Sequence, residues 1–237
     1  MSSHRRRRSW LRWVLVGAAA VVVLAVGVPF VYIHFIEGPA PAPLGLGATA
    51  SSGATVPGQA AADTLAGTWA VTTGSRAGYR VNEVLAGQNN VAVGRTSSVA
   101  GHLTLSRTAV TAGAFTVHMA TIRSDRSQRD AQFDGRIMDV ATYPTGTFTL
   151  TRPISLAPVP AAGVIKTYTA TGKLTLHGHT RQVTFRLKAE RTASRIEVSG
   201  SIPVTFADYG IGNPSFGSFV TTQNHGILEF LMDFSHS

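Results

Sequence analysis

The sequence predicts an all-β fold, an antiparallel barrel of about eight strands with one short helix, preceded by a single transmembrane helix. Three observations carry this. From Leu65 onward, apolar residues recur with period two in segment after segment. A single stretch shows helical period. One long apolar run stands near the N-terminus behind a block of arginines.

The apolar run covers Trp13 to Ile36, 24 residues that are nearly uninterrupted. At about 1.5 Å rise per residue it spans about 36 Å, enough for a hydrocarbon core of about 30 Å with some tilt or a bend at Pro29. A cleaved signal peptide has a shorter apolar core, and Ala40-Pro41-Ala42 is a poor cleavage site because of its proline. Arg5, Arg6, Arg7, Arg8 and Arg12 precede the run and Glu37 follows it. Trp10 and Trp13 mark the near interface. The positive-inside rule then sets residues 1–12 as a basic cytoplasmic tail, 13–36 as a single-pass signal anchor of the cell membrane, and the rest outside the cytoplasm.

Residues 37–64 are rich in Pro, Ala, Gly and Ser and show no apolar periodicity. They read as an inert spacer. Pro39, Pro41 and Pro43 favour an extended stalk, and the later Gly/Ser part a flexible one. The folded domain is expected at 65–237.

Within that domain Phe115, Val117 and Met119 share a parity. So do Leu174 and Leu176; Val183, Phe185 and Leu187; Ile196, Val198, Ile202, Val204 and Phe206; and Leu228, Phe230, Met232 and Phe234. Polar residues take the alternate positions, the pattern of half-buried antiparallel strands. Further strands are expected at Gly67–Thr73, Tyr79–Val84, Ser97–Ser106 and Gly146–Ile154. Strands of about ten residues are long for a sandwich and suit an up-and-down barrel, which also removes exposed edges. The helix is expected at Ser127–Val140, where Phe133, Ile137 and Val140 fall at i, i+4 and i+7.

Composition narrows the function classes. The net charge is +9, but +5 belongs to residues 1–36 and only +4 is scattered over the rest. The basic block is membrane-facing, and no nucleic-acid partner is indicated. The chain has no cysteine, which excludes disulfides, thiolate chemistry and Cys-ligated metals. Nucleophile-elbow, zinc-helix and phosphate-loop motifs are absent, and no catalytic residue is assigned.

Two clusters are weighed for chemistry. His177 and His179 share a strand face and can in principle reach one metal, with His118 or His225 as a third ligand, but the intervening Gly178 favours a turn, and no metal site is assigned. Asp125, Asp130, Asp134 and Asp139 alternate with Arg123, Arg126, Arg129 and Arg136, a mixture that favours salt bridges over acid–base work. Arg129 and Asp130 are expected to pin the helix across a barrel mouth. Phe115, Met119, Phe148, Leu174, Phe185, Phe206 and Phe230 are the lumen candidates, with solid core as the competing reading. The stretch Tyr209–Thr222, with Phe216 and Phe219, reads as an irregular loop at a mouth.

Seven pieces also occur in a familiar order. They are Gly67-Thr68-Trp69; Ala77-Gly78-Tyr79-Arg80-Val81; Val99-Ala100-Gly101-His102-Leu103; Arg129-Asp130 with Phe133; Tyr143-Pro144 with Thr147-Phe148; Gly172-Lys173-Leu174-Thr175-Leu176-His177-Gly178; and Ala207-Asp208-Tyr209-Gly210-Ile211. From about Thr68 to the C-terminus the chain resembles the YceI-like family, lipocalin-like barrels of exported bacterial proteins. The resemblance implies a lumen that binds a polyisoprenoid or similar long-chain lipid, with no cofactor and no catalytic centre. Two departures stand out. Asn82-Glu83-Val84 lacks a histidine that the family often carries there, and the N-terminal anchor looks uncleaved where many members are freely exported. The expectation is a membrane-tethered, extracytoplasmic lipid-binding protein. The alternatives are a cell-envelope interaction module with a filled barrel, and a weak metal-dependent enzyme.

Overall fold

A computed structural model describes residues 40–47, 65–85, 87–192, 194–217 and 220–237, with positions 14, 16–18, 21 and 23 of the N-terminal run. The expected basic tail, and the expected transmembrane helix apart from those positions, lie outside the described residues. Among the described residues no helix is long and apolar enough to cross a membrane.

Among the described residues, the chain from Gly67 to His236 forms twelve strands: β1 (Gly67–Val71), β2 (Arg76–Leu85), β3 (Gln88–Thr96), β4 (Val99–Leu105), β5 (Ala109–His118), β6 (Thr145–Leu150), β7 (Ile154–Ser155), β8 (Lys166–Leu176), β9 (His179–Arg191), β10 (Arg195–Thr205), β11 (Val220–Thr222) and β12 (His225–His236). All pairings are antiparallel. The order β1-β4-β5-β6-β8-β9-β10-β12 closes on itself, because β12 returns to β1 through Val71↔Phe234. This is a closed eight-stranded barrel.

The topology is simpler than twelve strands suggest. β2 pairs with β3 and β1 with β4, in nearly continuous register from Ala77↔Thr96 to Ala70↔His102. β1 and β2 are thus two halves of one bent strand, and β3 and β4 two halves of the next. β6 and β7 likewise both pair with β5. The result is an up-and-down meander whose last strand, β12, lies along both β1 and β2. Closure leaves no free edge in the ring.

The predicted parities set the two faces. Leu174 and Phe148 are register partners, as are Phe115 and Phe148, so neighbouring strands point the same set of residues inward. Inside are two contiguous apolar clusters. One gathers Met119, Phe133, Leu174, Phe185, Phe206 and their neighbours, and the other Trp69, Leu105, Ile196, Met232 and Phe234. Val117, Leu150, Ile154 and Phe230 touch both and mark the waist between them.

The connections sort by end. The β2–β3 turn, the long β5–β6 connection with the helix, the β8–β9 turn and the β10–β12 connection all lie at one end, here the helix end. The helix differs from the expectation of Ser127–Val140. Regular α-helix (α1) covers only Ser127–Gln132, followed by a π-turn at Phe133–Ile137. Gly135 interrupts the helical pattern, and the wider turn brings both Phe133 and Met138 into the core, at 7% and 5% exposure.

β3 has no counterpart among the strands that the apolar pattern predicts. Gln88, Asn89, Asn90 and Gly94 are poor strand formers, yet β3 runs the whole length of β2 because pairing and closure outweigh propensity. β8 begins at Lys166, well before the Leu174/Leu176 pair by which the sequence marks it.

Outside the barrel, Glu197 of β10 faces Asp233 of β12 directly across the ladder. Burial raises the carboxyl pKa of both, and for Glu197 the charges of Asp233 and Glu190 add to it while Arg195 opposes. A carboxyl with a raised folded-state pKa binds protons more tightly folded than unfolded. Its contribution is therefore fully present below the unfolded value and is lost as pH rises through the folded one. Acidification from neutrality toward ~pH 5 is expected to stabilise this part of the barrel. Glu197→Gln is expected to raise the neutral-pH melting temperature and to shrink the acid gain. A melting profile against pH for both proteins checks this, and an unchanged profile would count against it.

Candidate lipid-binding lumen

The barrel holds a cavity of about 590 Å³ that opens to solvent. Each of the seven lumen candidates, Phe115, Met119, Phe148, Leu174, Phe185, Phe206 and Phe230, lies on its wall. Contact with a ligand is a further claim, taken up below. The wall is almost wholly apolar along its length, and polar side chains gather at the ends: Glu83, Arg126, Arg129 and Gln132 at the helix end, and Tyr168, Glu190 and Arg191 at the other.

Glycines make the room. A Cβ on Gly172 would lie 2.3 Å from the Phe148 ring, one on Gly200 2.7 Å from Phe230, and one on Gly94 2.4 Å from Tyr79. Each aromatic ring therefore lies flat over a glycine of the next strand and leaves the axis open. Ring contacts link them around the wall: Phe115 to Phe148 at 6.5 Å, Phe148 to Phe185 at 5.5 Å and Phe185 to Phe230 at 5.9 Å.

The helix end is capped. Phe133 stacks on Tyr79 with ring centroids 5.1 Å apart, on the lumen wall beneath α1. Burial holds the Tyr79 phenol well above its usual pKa. Arg129 opposes, and the carboxylates of Asp130, Glu83 and Asp125 push the same way as burial. It therefore stays a protonated donor at neutral pH. Arg129 donates to Glu83 at 3.1 Å and pairs with Asp125. Asp130 accepts from the Ser124 amide at 2.8 Å and its hydroxyl at 2.7 Å. Arg129 fastens α1 to β2, and Asp130 fastens it to the segment before it. Arg136 donates to the Pro214 carbonyl at 2.9 Å, tying the π-turn to the β10–β12 connection.

Tyr143 and Pro144 hold the adjoining corner. The Pro144 carbonyl accepts from the Met119 amide at 2.9 Å, and the Tyr143 ring lies 4.4 Å from that of His177. His177 and Gly178 form the two-residue β8–β9 turn with φ of 48° and 75°, the left-handed pair a tight hairpin requires. The Tyr143 ring occupies the space beside Gly178 where a side chain would stand. The His-x-His pair is thus turn geometry, with His179 Nδ1 2.9 Å from the His177 carbonyl. Among the described residues, no group of three His, Asp or Glu side chains is placed to hold a metal ion. Phe219 of the mouth loop lies outside the described residues.

Residues 69–233 match the YceI-like domain. This chain belongs to the YceI-like family. The sequence pieces quoted above are then the structural corners of a YceI-like barrel: Gly172 clears Phe148, Gly178 makes the turn, and Tyr143-Pro144 packs on it. Among solved structures, a polyisoprenoid-binding domain from Saccharophagus degradans implicated in plant cell wall breakdown is similar at 17% identity and TM-score 0.59, covering 73% of this chain and 99% of that one. BcnA of Burkholderia cenocepacia is similar at 20% identity and TM-score 0.49, over 65% and 95% of the two chains. A Campylobacter jejuni YceI protein is similar at 13% identity and TM-score 0.46, over 61% and 84%. The first likeness supports the fold, and the other two carry no argument. No curated protein matches the chain.

The glycine wall, the Tyr79–Phe133 stack and the role of Glu83 are not visible in the apolar pattern of the sequence. The signal for the first was present: Gly94, Gly172 and Gly200 interrupt strand-like segments, where a glycine marks close approach by another group.

Proposed function

We propose that this protein is a membrane-tethered, extracytoplasmic lipid-binding protein that holds a polyisoprenoid or similar long-chain amphiphile in its barrel lumen. The observation that carries the reading is the 590 Å³ apolar cavity inside a closed YceI-like barrel. Even at the ~30 Å³ a water takes in the liquid, that volume holds about twenty groups of methylene size. A lumen of this kind fits a long apolar chain better than the filled barrel of a pure interaction module. Burial supplies the affinity at roughly 0.8 kcal/mol per methylene, before the costs of ordering the chain. The polar ends receive whatever head group the chain bears, and no bond is made or broken. The anchor at 13–36 and the extracytoplasmic placement rest on the apolar run and its arginines.

Titration of delipidated protein with prenyl alcohols of increasing length tests this. Affinity is expected to climb with each added isoprene and then level off once the lumen is full. Affinity independent of chain length would overturn the reading.

A further inference from the structure

Part of the linker is attached to the barrel. The Pro41 carbonyl accepts from Arg80 Nη2 at 2.6 Å, the Ala42 carbonyl accepts from Arg95 Nη2, and the Leu44 amide donates to Glu229 Oε2 at 3.4 Å. Beneath this strap, Glu229 also takes Arg80 Nε at 3.3 Å and Arg95 Nη2 at 2.6 Å. Glu229 is 3% exposed although it lies on the outward face of β12, opposite Gly78 of β2. Gly78 carries no side chain, and on its other side it faces Arg95 of β3. Two arginines and a glutamate converge over the missing side chain, and the proline-rich strap lies against them. Residues 40–47 are therefore a seated segment, where the sequence reads as inert spacer.

We propose that this strap moors the helix end of the barrel to the lipid surface. The inference rests on the reading of residues 13–36 as a membrane anchor. A free 28-residue linker, 37–64, would let the barrel range over roughly 30 Å root-mean-square. With Pro41 seated, only four residues separate it from Ile36, a reach of at most about 18 Å. Arg80 lies five residues before the helix-end turn that follows Leu85, so that end is held nearest the bilayer. Part of the rim there is apolar and exposed among the described residues. Phe216 is 64% exposed, Val84 38% and Ile227 39%. Val84 and Ile227 lie on the same outward face as the strap site, since Ile227 pairs with Arg80 and Val84 with Thr221. Phe216 joins them through its bridge to Val220, the partner of Leu85. The occupant of this patch is the bilayer surface, and the lumen mouth under α1 stands beside it.

The chain has no cysteine, so single labels can be placed cleanly. Full-length protein carrying Phe216→Cys or, at the opposite end, Ala162→Cys is labelled with an environment-sensitive fluorophore. It is then reconstituted into vesicles of equimolar phosphatidylethanolamine and phosphatidylglycerol containing a shallow nitroxide lipid. The label at position 216 is expected to be quenched several-fold more than that at position 162. Replacing residues 40–47 by Gly/Ser repeats is expected to abolish the difference while the barrel stays folded at the assay temperature, as a melting curve of the same variant checks. Equal quenching at the two positions, or a difference that survives strap replacement, would overturn the mooring. Flotation of the same vesicles reports the anchor separately. A full-length chain that fails to float overturns the anchor reading and the mooring with it, and leaves the prenyl-alcohol titration standing.

Discussion

Val117→Trp is expected to empty the lumen while leaving the barrel standing. Val117 sits at the waist, half-buried, and packs against both apolar clusters. Its register partner across β6 is Gly146, which offers no side chain in the way. An indole there divides the tunnel in two. A chain that loses ten methylenes of burial loses about 8 kcal/mol at ~0.8 each, several orders of magnitude in affinity. The cost to the fold is smaller, because the added atoms enter space that is already open. The measurement is prenyl-alcohol affinity beside the melting temperature of the same variant. A folded variant that binds long chains as the parent does would place the ligand elsewhere.

Phe234→Ala is expected to produce the largest loss of stability. Phe234 is 1% exposed and lies where the barrel closes, paired with Val71 on one side and Ile196 on the other. Its ring meets Phe115 edge to face with centroids 5.9 Å apart. Removing a buried phenyl ring costs about 3–5 kcal/mol, a third or more of what a domain of this kind has in total. A fall in melting temperature of about 10 °C follows for a domain of this length. Denaturant titration at unchanged slope checks the free energy directly. A loss below about 1 kcal/mol would mean that the closure seam is not packed as described.

Much of this was legible in the sequence, and the reasons are specific. Period-two patterning marked the inward parity of β5, β9, β10 and β12, because one face of each strand is polar and the other apolar along its length. On β5, β9 and β12 that parity set Phe115, Phe185 and Phe230 on the cavity wall. Parity could not separate a lumen from a solid core, since both need the same inward apolar residues. The cavity depends instead on glycines set under aromatic rings across the ladder, and strand register is not readable from one strand alone. β3 was hidden by its asparagines and Gly94, and the early turn of β8 by threonines and glycine that show no apolar run. The strap was hidden for another reason. Its bonds use backbone carbonyls of Pro41 and Ala42, which any residues would supply. The one sequence sign was an acidic residue, Glu229, at an outward position of a strand with few other charges.

Organic extraction of residues 38–237, prepared from a bacterial host without the apolar run and analysed by mass spectrometry, shows whether the lumen holds a lipid. This fragment keeps the strap and every strand of the barrel. A long-chain isoprenoid or comparable amphiphile is expected at close to one per protein, and is expected to be lost in Val117→Trp. A folded protein that carries no lipid and takes up none when prenyl alcohols are added would contradict the lipid-binding reading.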